Sequence, residues 1–597
     1  MNQIPERKNL KVEETWALED LFPSDEAWSA ELERAKGYPE QIAAYAGRLG
    51  ESAETLLAYL RLDDEMSLCF DKLVNYVMRR GDEDTRVAKY QNMTAQLMHL
   101  ITALSTAASF ETNELLAIPD ETMERFYEQC PDLCLYRRRL DLLRRKREHI
   151  LSPAEEKLLA QAGQLSDVSE NVFSMLNDAD LTFPDAVDGE GQKRPLTHGT
   201  YIPMMQGQDR ALRKSAFENL YGVYRQFRNV SAAALSGQFK TLWFFASARR
   251  YPSALSAALD STEVPESVYH QLIAAVRENL PALHRYVRLR KKLLGVEELH
   301  FYDLYAPMVK DVDFSVDFEA AKELTRKALA PLGEEYLSVL EQGYQNRWID
   351  VRENVGKRSG AYSAGPKVHP YVLLNYHDTL NDAFTLIHEM GHSLHSWYSN
   401  QCQPTVYSDY VIFVAEVAST CNEALLMEHL LKVTEDKARR AYLLNYFLEQ
   451  FRTTLFRQTM FAEFELKLSE LVQRGEGVTA DTCCDIYRKL NEEYFGPDIV
   501  LDEEIALEWA RIPHFYYNFY VYQYATGYAA AIALSRRILS GAPGAVEDYL
   551  GFLKGGCSKS PIELLKGAGV DMSTAQPIRD ALTVFDQLIG ELEELCK

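Results

Sequence analysis

Residues 381–392 read NDAFTLIHEMGH and contain the pattern His-Glu-x-x-His. Residues four apart on a helix lie about one turn apart and point the same way, so His388 and His392 can present their imidazoles to one ion. Glu389 follows the first histidine directly, and its carboxylate stands beside that ion, where it can take a proton from a bound water. The alternative interpretation is two histidines on an amphipathic helix with a surface glutamate.

A third metal ligand is predicted in residues 411–423, which read VIFVAEVASTCNE. Glu416 interrupts an otherwise apolar helical run, where an unpaired carboxylate is costly to bury and a bound cation removes that cost. Glu416 lies 24 positions after His392, which leaves room for one helix to end and a second to pack against it. Two histidines and a carboxylate predict a site for one Zn²⁺ ion with the fourth position open to water. Glu423 lies two turns beyond Glu416 and is predicted either to anchor a ligand histidine or to form an ordinary ion pair.

A cluster of aromatic residues lies between positions 514 and 528, which read HFYYNFYVYQYATGY. Four of its tyrosines step by three, four and four residues, and this spacing predicts one helical face. They are Tyr517, Tyr520, Tyr524 and Tyr528. Aromatic stripes usually pack in a core, but each buried phenol needs a hydrogen-bond partner. The alternative is a cleft in which the hydroxyls donate to a peptide carbonyl and to the oxyanion formed from it.

The composition excludes several classes of protein. The chain has 597 residues and a formal charge of −24, and a strongly acidic protein lacks the basic footprint that nucleic-acid binding needs. The one basic run, residues 137–147, contains Leu140 and Leu143 and is interpreted as the solvated face of a helix. With 47% apolar and 25% charged residues, the chain is typical of a folded, soluble protein.

The cysteines and the N-terminus predict where the protein resides. Nine cysteines occur without any Cys-x-x-Cys pair, which indicates reduced thiols in a cytoplasm. The N-terminal segment MNQIPERKN is polar and lacks the apolar stretch of a signal peptide. No run approaches the ~18 uninterrupted apolar residues of a membrane span. We therefore expect a cytoplasmic protein with no membrane or nucleic-acid partner.

The pattern of apolar residues predicts a mainly α-helical chain with little β-structure. Turn residues at Asp188–Gly191 predict a β-hairpin, and the apolar run Tyr371–Tyr376 predicts a buried strand just before the histidine helix. The predicted organisation has three parts. They are an N-terminal helical region (1–110), a helical subdomain ending in the β-hairpin (111–200) and a catalytic domain (201–597).

Six segments, spread in one order over nearly the whole chain, resemble the oligoendopeptidase F group of zinc peptidases, relatives of thimet oligopeptidase. They are Trp16–Phe22, His369–Tyr376, Phe413–Glu416, His514–Tyr528, Gly555–Pro561 and Ala568–Met572. The resemblance implies a two-lobed helical zincin-type metallopeptidase, with a small β-sheet next to the zinc helix and a deep substrate groove. Such enzymes cut short peptides and exclude folded proteins.

By position, the resemblance also implies roles for individual residues. The zinc ligands are His388, His392 and Glu416, the catalytic base is Glu389, and the substrate- and transition-state-binding residues are His514, Tyr520 and Tyr524. One departure concerns a further tyrosine of the thimet-type pattern, which falls at Gly527 here, with Tyr528 adjacent. The outer substrate-binding tyrosine is therefore Tyr517 or Tyr528.

The predicted reaction is hydrolysis of internal bonds of short oligopeptides by a zinc-activated water, with Glu389 as general base and then as proton donor to the leaving amine. Zinc and the hydroxyl of Tyr520 or Tyr524 hold the oxyanion. The strand around Gly360–Ser363, or the run Tyr371–Tyr376, is a candidate to pair with the substrate backbone. Two alternatives are a zinc carboxypeptidase of similar helical fold and a non-catalytic peptide-binding scaffold.

Overall fold

The computed structural model describes residues 4–309 and 314–597. Met1–Gln3, which begin the polar N-terminal segment, lie outside the described residues. The chain separates into two compact units, each built from non-contiguous segments. The first comprises residues 1–153, 314–426 and 534–569, and the second comprises residues 154–313, 427–533 and 570–597. The three-part division at residues 110 and 200 remains a prediction.

The described residues form 25 α-helices, as expected for a mainly α-helical protein. The first ten are α1 (Asp25–Ala35), α2 (Tyr38–Ala43), α3 (Ala53–Glu83), α4 (Ala88–Ala107), α5 (Glu111–Ala117), α6 (Asp120–Gln129), α7 (Arg137–Arg145), α8 (Pro153–Gly163), α9 (Val168–Ser174) and α10 (His198–Met205). The next eight are α11 (Arg210–Ala248), α12 (Ala254–Asp260), α13 (Glu266–Glu278), α14 (Leu280–Leu294), α15 (Phe318–Leu329), α16 (Gly333–Gln345), α17 (Leu380–Cys402) and α18 (Ile412–Val433). The last seven are α19 (Lys437–Gln450), α20 (Arg457–Gln473), α21 (Ala480–Phe495), α22 (Tyr522–Leu539), α23 (Ala545–Leu553), α24 (Pro561–Gly567) and α25 (Gln576–Leu595).

Five short strands form two small sheets in the described chain. They are β1 (Ala186–Val187), β2 (Lys193–Arg194), β3 (Ile349–Asp350), β4 (Tyr362–Ala364) and β5 (Tyr371–Leu373). Strands β1 and β2 pair antiparallel, which confirms the predicted hairpin. The second sheet has the order β3-β5-β4, with β5 parallel to β3 and antiparallel to β4. The predicted strand before the histidine helix is thus present, although it is only three residues long.

In the first unit, the sheet is anchored to the apolar core of the N-terminal helices. Tyr371 and Leu373 of β5 belong to the same buried cluster as Trp16 and Trp28. The Tyr371 hydroxyl donates a hydrogen bond to the carbonyl of Ala17 at 2.9 Å. Because β4 contacts α17 through the Ser363 and Ser393 hydroxyls, 2.8 Å apart, this core fixes the sheet against the histidine helix.

The basic run 137–147 forms the solvated helix α7 and the turn after it, as predicted. Leu140 faces the core, whereas Arg139 pairs with Asp63 and Glu111 at 2.5 and 2.8 Å. The Arg139 guanidinium is therefore occupied by carboxylates of the same chain. Among the described helices, none is both long and apolar enough to cross a membrane.

In the second unit, the 39-residue helix α11 packs against α20 and α21 and against a 3₁₀ segment at Glu503–Arg511. A π-helical turn at Phe451–Phe456 joins α19 to α20. A second 3₁₀ turn, Pro513–Tyr516, precedes α22. This turn and the start of α22 carry the aromatic cluster of residues 514–528.

Candidate metal centre and active site

Helix α17 carries the His-Glu-x-x-His pattern and begins at a capping box. The Thr379 side chain accepts a hydrogen bond from the Asp382 N–H, and the Asp382 carboxylate accepts from the Thr379 N–H. This reciprocal pair satisfies two N–H groups that a helix start leaves without partners. Leu386, Ile387 and Met390 are fully buried, so the helix is held along its apolar side while His388 and His392 remain partly exposed.

Helix α18 approaches α17 very closely at Gly391. A Cβ atom at this position would lie 2.5 Å from the Cα of Ser419, so only glycine permits the contact. The Asn422 side chain of α18 donates a hydrogen bond to the carbonyl of Ile387, directly before His388, at 3.3 Å. The close packing brings Glu416 of α18 beside the two histidines of α17. Sequence reasoning did not single out Gly391, although a glycine inside a helical pattern often marks such a contact.

The three predicted ligand atoms form a nearly equilateral triangle. The Nε2 atoms of His388 and His392 lie 3.2 Å apart, and the Glu416 Oε2 lies 3.4 Å from the first and 3.6 Å from the second. Ligands at ~2.0–2.1 Å from a tetrahedral zinc ion lie about 3.3–3.4 Å from one another. The donor set and its spacing therefore fit a zinc ion. In the part of the chain that the structure describes, this is the one such group of three His, Cys, Asp or Glu side chains.

Opposite charges favour the contact between Glu416 and His388. Burial raises the pKa of the Glu416 carboxyl, but hydrogen bonds from His388 and His392 outweigh it, and the pKa lies well below its usual range. Burial lowers the pKa of His388, but its contacts with Glu416 and Glu423 outweigh this and raise the pKa well above the usual value. Glu416 is thus held as a carboxylate, the form that binds a metal, and an incoming cation displaces the proton that the raised pKa keeps on the His388 imidazole.

Glu423 contacts the ring nitrogen of His388 that faces away from Glu416. The His388 Nδ1–H donates to Glu423 Oε1 in a short hydrogen bond. Once a cation displaces the proton on Nε2, this bond keeps the Nε2 lone pair directed toward Glu416 and His392, as a metal ligand requires. Of the two alternatives for Glu423, the geometry favours the anchor of a ligand histidine.

Glu423→Ala is expected to weaken zinc affinity about 10–100-fold, because the ring of His388 loses the partner that orients it. Competition with a chromogenic chelator measures the affinity directly. Glu435→Ala, at an exposed position just past the end of α18, is the matched control and should bind zinc as tightly as the unmodified chain. Equal zinc affinities of the two variants would show that Glu423 forms an ordinary ion pair and does not anchor His388.

Glu389 is buried beside the triangle and lacks a complete set of hydrogen bonds. Its side chain is 7% exposed, and Oε2 has no hydrogen-bond partner among the described residues. Burial raises the pKa of this carboxyl, although the neighbouring His388 and His392 oppose the shift. A carboxylate with an unused acceptor atom and a raised pKa is suited to accept a proton.

The aromatic cluster shows that one structural prediction was wrong. The tyrosines at 517 and 520 do not lie on a helix, because α22 begins only at Tyr522. Asn518 and Phe519 have φ angles of +56° and +59°, in the left-handed region, which an α-helix of L-residues avoids at a cost of about 1–2 kcal/mol per residue. The three- and four-residue spacing therefore crosses a turn and does not trace one helical face.

The turn nevertheless gathers four of the predicted residues. The ring centroid of His514 lies 5.5 Å from that of Tyr517, 6.5 Å from that of Tyr520 and 5.9 Å from that of Tyr524. The Tyr524 hydroxyl is 3.5 Å from His514 Nε2. Tyr528 is only 5% exposed, and its ring packs edge-on against Phe451 at 5.0 Å. Of the two candidates for the outer tyrosine, Tyr517 is 44% exposed and adjoins the cluster.

Comparison with known proteins places the chain in a family. Residues 203–584 match the family described as Peptidase family M3, and residues 114–183 match the one described as Oligopeptidase F. This chain belongs to peptidase family M3. It is 47% identical to oligopeptidase PepF of Bacillus subtilis over 100% of this chain and 89% of the relative. It is 40% identical to the group B oligopeptidase PepB of Streptococcus agalactiae, over 99% and 98%.

A solved structure supports the same membership. The chain superposes on oligoendopeptidase-F from Enterococcus faecium with a TM-score of 0.76 at 38% identity, covering 96% of this chain and 99% of the other. The predicted resemblance, the mainly helical fold and the prediction of a metallopeptidase that cleaves inside oligopeptides are confirmed for this M3 member. The carboxypeptidase and binding-scaffold alternatives are not favoured.

Proposed function

We propose that this M3 peptidase is a zinc-dependent endopeptidase of short oligopeptides, with one ion held by His388, His392 and Glu416. The observation that carries the proposal is the triangle of three ligand atoms, whose sides of 3.2–3.6 Å suit a tetrahedral ion. Family membership supports a metal and peptide substrates, and the two-histidine, one-carboxylate donor set favours zinc.

The buried carboxylate of Glu389 acts as the general base. When bound, zinc supplies a Lewis acid that acidifies water at the open position and polarises the scissile carbonyl. Glu389 accepts the proton of the attacking water on its unpartnered Oε2 atom and then delivers it to the leaving amine. Burial raises the pKa of the Glu389 carboxyl. It therefore favours the protonated form of Glu389, which exists between the uptake of the proton and its delivery to the amine.

The residues His514, Tyr520 and Tyr524 supply hydrogen-bond donors to the substrate and to the oxyanion. Their mutual contacts and the 3.5 Å separation of Tyr524 and His514 support a shared role. Removal of one oxyanion donor costs about 10²–10³ in turnover. We assign the outer substrate-binding position to Tyr517, because its side chain is exposed beside His514, whereas the Tyr528 ring is buried against Phe451.

Strand β4 is the candidate for pairing with the substrate backbone. Both edges of β5 are occupied, by β3 and β4, so Tyr371–Leu373 cannot take up another strand. In the described chain, β4 pairs with another strand along one edge only, and it lies against α17 through the Ser363–Ser393 contact. Backbone pairing along this edge recognises a peptide with little regard to its side chains.

We also propose that the protein acts in the cytoplasm on short peptides. All nine cysteines are free thiols in the structure, which supports a reducing compartment. Short peptides rather than folded proteins are the expected substrates, as the resemblance to oligoendopeptidases implies.

A digest of a peptide blocked at both termini tests this function. The enzyme is expected to cut the peptide internally, and mass spectrometry of the products locates the cut. A chelator should abolish cleavage, and added zinc should restore it. The reason is that three side chains hold the ion reversibly, so it can be removed and replaced. Cleavage of only unblocked peptides at their C-terminus would instead indicate a carboxypeptidase, and chelator-resistant cleavage would contradict the metal mechanism.

A further inference from the structure

The turn at Asn518–Phe519 is unusual because two successive residues other than glycine adopt the left-handed conformation. Their φ angles are +56° and +59°. Asparagine tolerates this region, but phenylalanine rarely enters it. Such conformations persist only where the surrounding structure enforces them, and they concentrate at functional sites. The turn separates Tyr517 from Tyr520, so its conformation decides where Tyr520 points.

A fully buried carboxyl group holds this turn from α20. Glu465 has an exposed fraction of 0%, and its Oε1 accepts a hydrogen bond from the Phe519 N–H at 3.2 Å. Its Oε2 has no hydrogen-bond partner among the described residues. Burial raises the pKa of Glu465 well above its usual value, which favours the neutral, protonated form of the carboxyl. Within the described residues, no ion pair explains its presence in the core.

Helix α11 holds the other side of the turn. The Gln238 amide donates hydrogen bonds to the Tyr516 carbonyl at 3.1 Å and to the Asn518 Oδ1 at 3.0 Å. The Phe519 ring is 1% exposed and lies between the rings of Phe239 and Tyr269, at 6.4 and 6.0 Å. Two helices therefore fix the backbone between Tyr516 and Tyr520.

We propose that Glu465 is a positioning residue, which holds the Asn518–Phe519 turn through the Phe519 N–H and so sets Tyr520 against His514 and Tyr524. The rings of Tyr520 and Tyr524 lie 5.2 Å apart in this arrangement. Without the buried acceptor, the left-handed pair can relax, and the direction of the chain into Tyr520 changes. The inference rests on the proposed function, which gives Tyr520 its role in turnover.

Substitution of Glu465 by Leu and by Gln tests the proposal with the blocked peptide as substrate. Glu465→Leu removes the acceptor, and kcat is expected to fall about 10- to 100-fold, the effect of a small misplacement of a reacting group. KM should change less than about threefold, since an oxyanion donor acts mainly in the transition state. Glu465→Gln keeps a carbonyl oxygen for the Phe519 N–H, and kcat should stay within about twofold of the wild type.

Thermal unfolding separates positioning from a loss of stability. Because its pKa is raised, Glu465 keeps its proton in the folded state, whereas the unfolded chain releases this proton above about pH 4.5. The free energy of unfolding of the wild type therefore falls as the pH rises past this value. Glu465→Gln removes that penalty and should unfold no lower than the wild type at pH 8. If the Leu variant does not fold, Gln238→Leu removes the second anchor of the turn and should lower kcat in the same way.

Glu463→Leu is the matched control on the same helix. Glu463 is 5% exposed, but its carboxylate pairs with Arg277 and accepts a hydrogen bond from Tyr494, and among the described residues it has no hydrogen bond to the turn. This variant should unfold at a lower temperature with kcat unchanged. A wild-type kcat for both Glu465→Leu and Gln238→Leu, or an equal loss of kcat in Glu463→Leu, would overturn the positioning role. If the wild type itself does not cleave the peptide, the proposed function fails instead.

Discussion

Glu389→Gln is expected to retain its metal while peptide cleavage falls by about 10²–10⁴, the usual contribution of a positioned general base. The amide has nearly the same shape as the carboxyl, but it cannot accept the proton of the attacking water. The three ligand atoms belong to His388, His392 and Glu416, so their triangle is left intact. Metal content by elemental analysis and kcat/KM on a fluorogenic oligopeptide are the two measurements.

Glu435→Gln makes the same chemical change at an exposed site and serves as the control for Glu389→Gln. It should keep both metal and activity. Wild-type cleavage by Glu389→Gln would show that another group takes the proton. Loss of metal from this variant would show that Glu389 helps to hold the ion, contrary to the assignment of three ligands.

Glu416→Ala is expected to lose its metal and with it all measurable cleavage. Two imidazoles remain, and the triangle loses the atom that lies 3.4 and 3.6 Å from them. The loss of affinity should exceed the about 10–100-fold expected for a partner outside the ligand set such as Glu423. Metal content after dialysis falls from about one ion per chain toward zero if Glu416 is a ligand.

Thermal unfolding gives a second measure for Glu416→Ala that does not depend on activity. A ligand that binds only the folded chain stabilises it by an amount that grows with its concentration relative to Kd, about 2.7 kcal/mol at 100 times Kd. Added zinc should therefore raise the Tm of the wild type and leave that of Glu416→Ala unchanged. If Glu416→Ala still bound one zinc ion per chain, the third ligand would be a residue other than Glu416.

Much of the metal site follows from local spacing. His388 and His392 face the same way because they are four residues apart on a helix, and the capping pair at Thr379 and Asp382 begins that helix. Glu416 was recognisable as a carboxylate inside an apolar run. Glu465 carries the same signal, in the run MFAEFEL at 460–466, but sequence reasoning did not identify it because no motif lies nearby.

The sequence by itself determined the helical class, the short strand and hairpin, the pair of histidines and the membership of a peptidase family, since all of these depend on the order of neighbouring residues. The tertiary structure alone decided that Gly391 lets α18 approach α17, that β5 lies in the centre of its sheet, and that a left-handed turn separates Tyr517 from Tyr520. The reason is that periodicity reports only which residues share a face of one element. The energy of packing distant segments together decides which faces meet, and a buried group such as Glu465 can override the local preference of the backbone.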